Sequence, residues 1–174
     1  MAFSWTTAVV VMGVAGAGKS TVGKLLAARL DRDFVEGDSL HPPHNVEKMS
    51  RGIPLTDADR LPWLDAIARR IAEARASGTP LVVTCSALKR AYRERLSGGH
   101  GDVGFLFLQG DKALIARRLS ARPGHFMPPQ LLASQFAALE EPAPDEPAIA
   151  VPIDARPEEI VDDFLAMSGA GKRA

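Results

Sequence analysis

Residues 13–20 read Gly-Val-Ala-Gly-Ala-Gly-Lys-Ser, a full match to the pattern Gly-x-x-x-x-Gly-Lys-Ser/Thr. The glycines let the backbone curl tightly enough for its N–H groups to turn inward and form a nest for an anion. Such a loop is delivered by a strand and followed by a helix whose positive N-terminal end faces the same anion. The flanks comply. Upstream, Ala8-Val9-Val10-Val11-Met12 is a β-branched apolar run, and downstream residues 21–30 space apolar side chains at helical intervals. That setting favours a phosphate cradle over a glycine turn with no ligand. Lys19 is then expected on the β- and γ-phosphates of a nucleoside triphosphate, and the Ser20 hydroxyl on Mg²⁺.

Strand and helix patterns alternate along the rest of the chain. A short strand at 33–36 ends at Gly37-Asp38, and a polar segment holding Pro and His follows over 39–55, with a short helix expected at 45–50. Thr56 or Asp57 caps a long amphipathic helix carrying Leu61, Leu64, Ile67, Ile71 and Ala74, which Gly78 and Pro80 bring to an end. Further strands are expected at 81–85, 103–108 and 148–153, and further helices at 88–96, 112–121, 130–139 and 157–167. Five strands separated by helices imply an α/β fold, a three-layer sandwich with a parallel sheet and helices on both faces. Ligands of such sheets sit beyond the carboxyl ends of the strands. Gly13, Asp38, Ser86 and the loop after Leu108 all fall there.

Composition narrows the class. A length of 174 residues suits one domain, 1–174, and 21 basic residues against 21 acidic ones argue against a protein whose main work is holding nucleic acid. The single cysteine, Cys85, excludes an internal disulfide framework and suits a reducing cytoplasm. The apolar stretch before Lys19 lacks a basic leader and reads as a buried strand rather than a signal peptide, and no segment approaches the ~20 apolar residues of a membrane span.

Other users of this loop are disfavoured. Switch GTPases read their base with Asn-Lys-x-Asp, whereas Asn45 is followed by Val46 and Glu47, and no Asp-x-x-Gly is present. Motor and transport ATPases end an apolar strand in an acid, whereas the run at 81–85 leads into Ser86. Kinases of small molecules remain. They need a group that orients the acceptor hydroxyl, cations for the transition-state charge and exclusion of water. Asp38 at the mouth of the second strand suits the first role, against a plain turn or cap. Arg118 and Arg122 beside the Pro/Gly-bearing segment 122–130 suit a lid over the phosphates, while Arg117 points elsewhere and reads as a solvated face.

These features, taken together with others, resemble the gluconate kinases of the shikimate/adenylate-kinase-like P-loop group. The resemblance is carried by Gly37-Asp38-Ser39-Leu40-His41-Pro42 with Asn45, Lys48 and Met49; by Gly52-Ile53-Pro54-Leu55 with Asp57, Asp59, Arg60, Pro62, Trp63 and Leu64; and by Cys85-Ser86-Ala87-Leu88-Lys89 with Tyr92-Arg93. Arg122 with Gly124-His125-Phe126, then Ser134-Gln135-Phe136 and Leu139-Glu140-Glu141-Pro142, complete it across nearly the whole chain. It implies the strand order 2-3-1-4-5 and ATP-dependent phosphorylation of D-gluconate at its 6-hydroxyl. Lys19, Asp38 and Arg122 would then be catalytic. Gly13, Gly16, Ala17, Gly18, Lys19, Ser20, Thr21, Arg118 and Arg156 would hold the nucleotide, and Ser20 the metal. Asp38, His41, Lys48, Arg60, Ser86, Arg93 and His125 would line the acceptor site, within a segment spanning about 38–64. A cytoplasmic homodimer is also implied.

Two positions depart from the family pattern. Glu36 stands where many relatives have Asp, and Ala15 and Ala17 stand where Ser is frequent; backbone N–H groups do most of the cradling, so the alanines should matter little. Other residues have plainer readings. Cys85 reads as a core thiol, Trp63 as packing rather than a stacking platform, and His100 as solvated. His41 and His44 lack a third ligand at metal spacing.

Overall fold

The structure, a computed structural model, describes residues 5–122 and 128–170. The motif Gly124-His125-Phe126, with the expected site residue His125, and the chain end at 171–174 lie outside the described residues. The elements are β1 (Ala8–Met12), α1 (Lys19–Leu30), β2 (Asp33–Val35), α2 (Pro43–Ser50), α3 (Asp57–Ser77), β3 (Leu81–Thr84), α4 (Arg90–Ser97), β4 (Val103–Gln109), α5 (Lys112–Ser120), α6 (Pro129–Ala138), β5 (Ala148–Pro152) and α7 (Pro157–Ser168). The strands form one parallel sheet in the order β2-β3-β1-β4-β5. That is the order the family resemblance implies.

Because side chains alternate along a strand, each central strand feeds two cores. Val9 and Val11, Val82, Leu106 and Leu108 join α1 and α7 through Leu26, Ile160 and Phe164. Ala8, Val10 and Met12, Leu81 and Val83, Phe105 and Phe107 join α3 and α4 through Leu64, Ile67, Ile71 and Leu96. Leu64, Ile67 and Ile71 are fully buried, each contributing about 1.5–3 kcal/mol of apolar transfer free energy.

Thr56 proves to be the cap of α3. Its hydroxyl accepts from the Asp59 N–H while the Asp59 carboxylate accepts from the Thr56 N–H, a capping box. Other boundaries differ from the sequence reading. β2 stops at Val35 because the chain turns at once into a 3₁₀ turn, Gly37–Leu40. Gly37 is pressed there against β3: a Cβ would lie 1.8 Å from the Thr84 carbonyl oxygen. α2 begins at Pro43, where a missing N–H costs nothing. α4 begins at Arg90, since Ala87 adopts a left-handed φ of 46° and breaks the helix expected from 88. The Arg90 N–H is capped by the Glu140 carboxylate from 50 residues away, a partner that local sequence could not reveal.

Candidate functional site

The P-loop leaves β1 at Gly13 and runs into α1 at Lys19, with Gly16 and Gly18 at φ 82° and 94°, conformations that favour glycine. A cleft of about 360 Å³ opens above it at the carboxyl ends of the strands. It is lined by Ala15, Gly16, Gly18, Lys19, Ser20 and Thr21 of the loop and the start of α1, by Asp38, His41, Arg60 and Trp63 of the segment after β2 and of α3, and by Ser86, Arg122, Ser134 and Gln135. The three residues expected to be catalytic, Lys19, Asp38 and Arg122, thus share one cavity. Met49, Leu55, Leu88, Leu119 and Leu131 give it apolar patches. A second cavity, about 390 Å³, adjoins it across Gly16, Gly18 and Thr21 and is lined by Ala17, Arg118, Arg122, Ala155 and Pro157.

Lys19 folds back on the loop, donating to the carbonyls of Gly13 and Val14 at 3.1 and 3.0 Å. Burial lowers its pKa, opposed chiefly by the charge of Asp38. Ser20 donates to the Glu36 carboxylate at 2.6 Å, and the other oxygen of Glu36 accepts from the Thr84 hydroxyl at 2.6 Å. A hydroxyl and a carboxylate side by side at the mouth of an anion nest form an all-oxygen donor set of the kind Mg²⁺ prefers. The longer arm of Glu36 therefore does reach the loop.

Asp38 is exposed to the cleft at the start of the 3₁₀ turn. Gly37 holds that turn in place: its N–H donates to Thr84 Oγ1 at 3.0 Å and its carbonyl accepts from Trp63 Nε1 at 2.8 Å. The Trp63 ring is buried, yet its face stacks on His41 with centroids 4.1 Å apart and 14° between planes. Trp63 therefore packs between the acceptor segment and the core, as the sequence reading expected. Buried Asn45 donates from Nδ2 to the Asp59 carbonyl and faces His41 Nδ1 at 3.2 Å. The His41 Nε2 edge lies 4.0 Å from Asp38. Burial holds the His41 pKa below its ordinary value, with Asp38 pulling it up and Arg60 pushing it down. Arg60 lies over the Tyr92 ring and donates to its hydroxyl at 3.1 Å, and Tyr92 in turn donates to Asp57.

Several expected site residues are not brought to either cavity. Lys48 is tied to Asp59 at 2.6 Å, one residue short of the lining Met49. Arg93 is buried and engaged elsewhere: it pairs with both oxygens of Glu146 at 2.6 and 3.1 Å and donates to the Ala87 carbonyl at 2.8 Å. Arg156 points to solvent, pairing with Glu159 in the first turn of α7, while its neighbours Ala155 and Pro157 line the second cavity. Gly13 lies behind the loop, its N–H on the Ser86 carbonyl at 3.3 Å. Arg118 lines the second cavity and donates to the Ile153 carbonyl, while Arg117 is exposed. Sequence reasoning quoted Gln135 and gave it no role, yet its Oε1 accepts from the Ala15 N–H at 2.7 Å. Cys85 is a core thiol, pushed up to about 12 by burial. His44 pairs with Asp59 at 3.2 Å. Among the described residues no helix is long and apolar enough to cross a membrane.

Residues 9–142 match a protein family described as an AAA domain. The chain is 50% identical over 156 residues to a gluconokinase of Gluconobacter oxydans, covering 90% of this chain and 88% of that protein. It is 42% identical over 164 residues to the thermoresistant gluconokinase of Escherichia coli, covering 94% of each. A crystal structure of a gluconokinase from Sinorhizobium meliloti superposes with a TM-score of 0.87 at 47% identity, covering 95% of this chain and 93% of that one. The shikimate kinase of Aquifex aeolicus, at 17% identity and a TM-score of 0.61 over 97% of this chain and all of the other, shares the fold.

Proposed function

Because the chain belongs to the gluconokinase family of P-loop kinases, we propose that its cleft transfers the γ-phosphoryl group of ATP to the 6-hydroxyl of D-gluconate. The products are 6-phospho-D-gluconate and ADP. The observation that supports this reading best is one continuous cleft joining the P-loop to Asp38 and Arg60.

The amides of the loop and Lys19 hold the β- and γ-phosphates, and the second cavity, walled by Arg118 and Ala155, takes the nucleoside. Asp38 orients the acceptor hydroxyl and takes its proton as the new P–O bond forms and the bond to ADP breaks. Among the described residues, the basic side chains expected for the acceptor that line the cleft are Arg60 and His41, Lys48 and Arg93 being engaged by carboxylates. Burial favours the neutral form of His41. Arg60 is therefore the residue to hold the gluconate carboxylate, its planar guanidinium suiting bidentate contact. Ser86 faces the substrate, and Arg122, which lines the cleft, acts on the transferring group; residues 123–127 of the lid expected over about 122–130 lie outside the described residues. Ser20, with Glu36 behind it through water, would hold Mg²⁺, which when bound neutralises charge on the phosphates.

We further read the chain as one kinase domain, 1–174, with an acceptor segment at about 38–64, working as a cytoplasmic homodimer. The lone buried thiol fits a reducing compartment, and light scattering reads the assembly. The deciding assay couples ADP release to purified protein, Mg·ATP and a range of acceptors: gluconate, other sugar acids, shikimate and nucleoside monophosphates. Gluconate-dependent ADP release, with phosphate on C6 of the product, is expected. Its absence overturns the reading, and turnover with a different acceptor reassigns the substrate.

A further inference from the structure

Gln135 belongs to a motif that the function above leaves unused, and its placement is specific. It sits on α6, 120 residues along the chain from Ala15, and its Oε1 accepts from the Ala15 N–H at 2.7 Å. A backbone N–H can only donate, so the contact fixes which end of the amide faces the loop. The Nε2 end, with two N–H donors, is left over. Among the described residues nothing accepts from it. Gln135 also lines the cleft that holds Lys19, Asp38, Ser86 and Arg122. Its neighbour in the lining, Ser134, has turned its hydroxyl to the Leu131 carbonyl.

From this geometry, and resting on the kinase reading above, we propose that Gln135 is a catalytic residue: with Oε1 anchored on the P-loop, its Nε2 donates to the phosphoryl group in transit. In phosphoryl transfer, charge spreads over the equatorial oxygens of the moving group. A neutral donor already held by a loop that grips the donor phosphates is oriented before reaction and needs no reorganisation at the transition state. The competing role is a stand-in, in which Oε1 occupies an N–H that ATP claims for itself. That role makes the opposite kinetic forecast: removing the side chain would tighten ATP and leave turnover alone.

Two variants separate these roles. Gln135→Glu keeps an oxygen for the Ala15 N–H and removes the Nε2 donors; Gln135→Met removes both functions at similar length. Thermal melting should match the wild type for the Glu variant, which carries the test if the Met variant fails to fold. With ATP and gluconate saturating, kcat is expected to fall about 10²-fold or more in each folded variant, the loss typical of a transition-state donor. KM for gluconate should stay within about threefold, as for an interaction made mainly in the transition state. A kcat within about twofold of wild type in any folded variant, or a change confined to KM for ATP, overturns the proposal. Wild-type protein in the same assay keeps the two readings apart. If it fails to phosphorylate gluconate, the functional reading falls and this inference with it. If it turns over and the variants match it, only the inference falls.

Discussion

Asp38 owes its position to the residue before it. Gly37 is held between the Thr84 hydroxyl and the Trp63 indole, with no room for a Cβ against the Thr84 carbonyl, so the next side chain is delivered to the cleft. Asp38→Asn keeps that backbone and removes the proton acceptor. Turnover of gluconate should fall by about 10²–10⁴-fold, as on losing a general base, while ATP binding measured by calorimetry stays near wild type. Loss of ATP binding instead would assign Asp38 to the nucleotide. At this scale the sequence was legible wherever a position depends on local spacing: the P-loop, the place of Asp38 at the mouth of a strand and a helix cap at Thr56 or Asp57 were all readable. It was not legible for cations. Lys48 and Arg93 look as free as Arg60 along the chain, and their carboxylate partners lie 11 and 53 residues away. Glu36 shows the reverse case, since its link to Ser20 and Thr84 makes an uncertain position a structured one.

α4 illustrates how an element can depend on a distant loop. Its first N–H is capped by Glu140, its Arg90 pairs with Asp145, and its Arg93 is joined to Glu146 while holding the Ala87 carbonyl beside Ser86. Arg93 and Glu146 side chains are 2% and 8% exposed, so neither charge is rehydrated if the other is removed. Arg93→Met should cost about 3–5 kcal/mol in urea unfolding, as for a buried pair broken on one side. Adding Glu146→Leu should restore much of that loss, because two apolar groups leave no stranded charge. A double variant no better than the single one would mean that the backbone contacts of the two side chains, Arg93 to the Ala87 carbonyl and the Ala143 N–H to Glu146, and not the pair, carry the stability. Helix and strand types were readable from periodicity; the start of α4 was not, because the left-handed Ala87 and the Glu140 cap are set by tertiary contacts.

On the scale of the whole molecule, alternation and helical period revealed the α/β class and the two apolar faces. Strand order was not contained in that pattern, since a parallel crossover can land on either side of its starting strand, and it came from the family likeness. One polar tie closes the end of the sheet opposite the cleft. Asp102, just before β4, accepts from Arg75 of α3 at 2.7 and 2.9 Å and from Thr7, just before β1, at 2.6 Å. The Arg75 bonds, with that of Thr7, hold the Asp102 carboxyl well below the usual carboxylate range. A depressed folded pKa stabilises above the unfolded value, about 3.9 for Asp, and that contribution is lost as pH falls below it. Melting temperatures of wild type and Asp102→Asn should therefore differ at pH 7 and converge as pH drops below about 4. A gap that stays constant down to acid pH would show that the tie acts through shape and not charge.

The chain has two tryptophans, and the sheet separates them. Trp5 stacks on Phe164 over Gly104 in the α1/α7 core, while Trp63 stands in the cleft wall with an imidazole against its ring. The protein's ultraviolet emission is thus divided between one buried indole that lines neither cavity and one that lines the cleft. In Trp63→Phe the remaining indole emission comes from Trp5 alone, and it should stay constant through a gluconate titration that changes the signal of the intact protein.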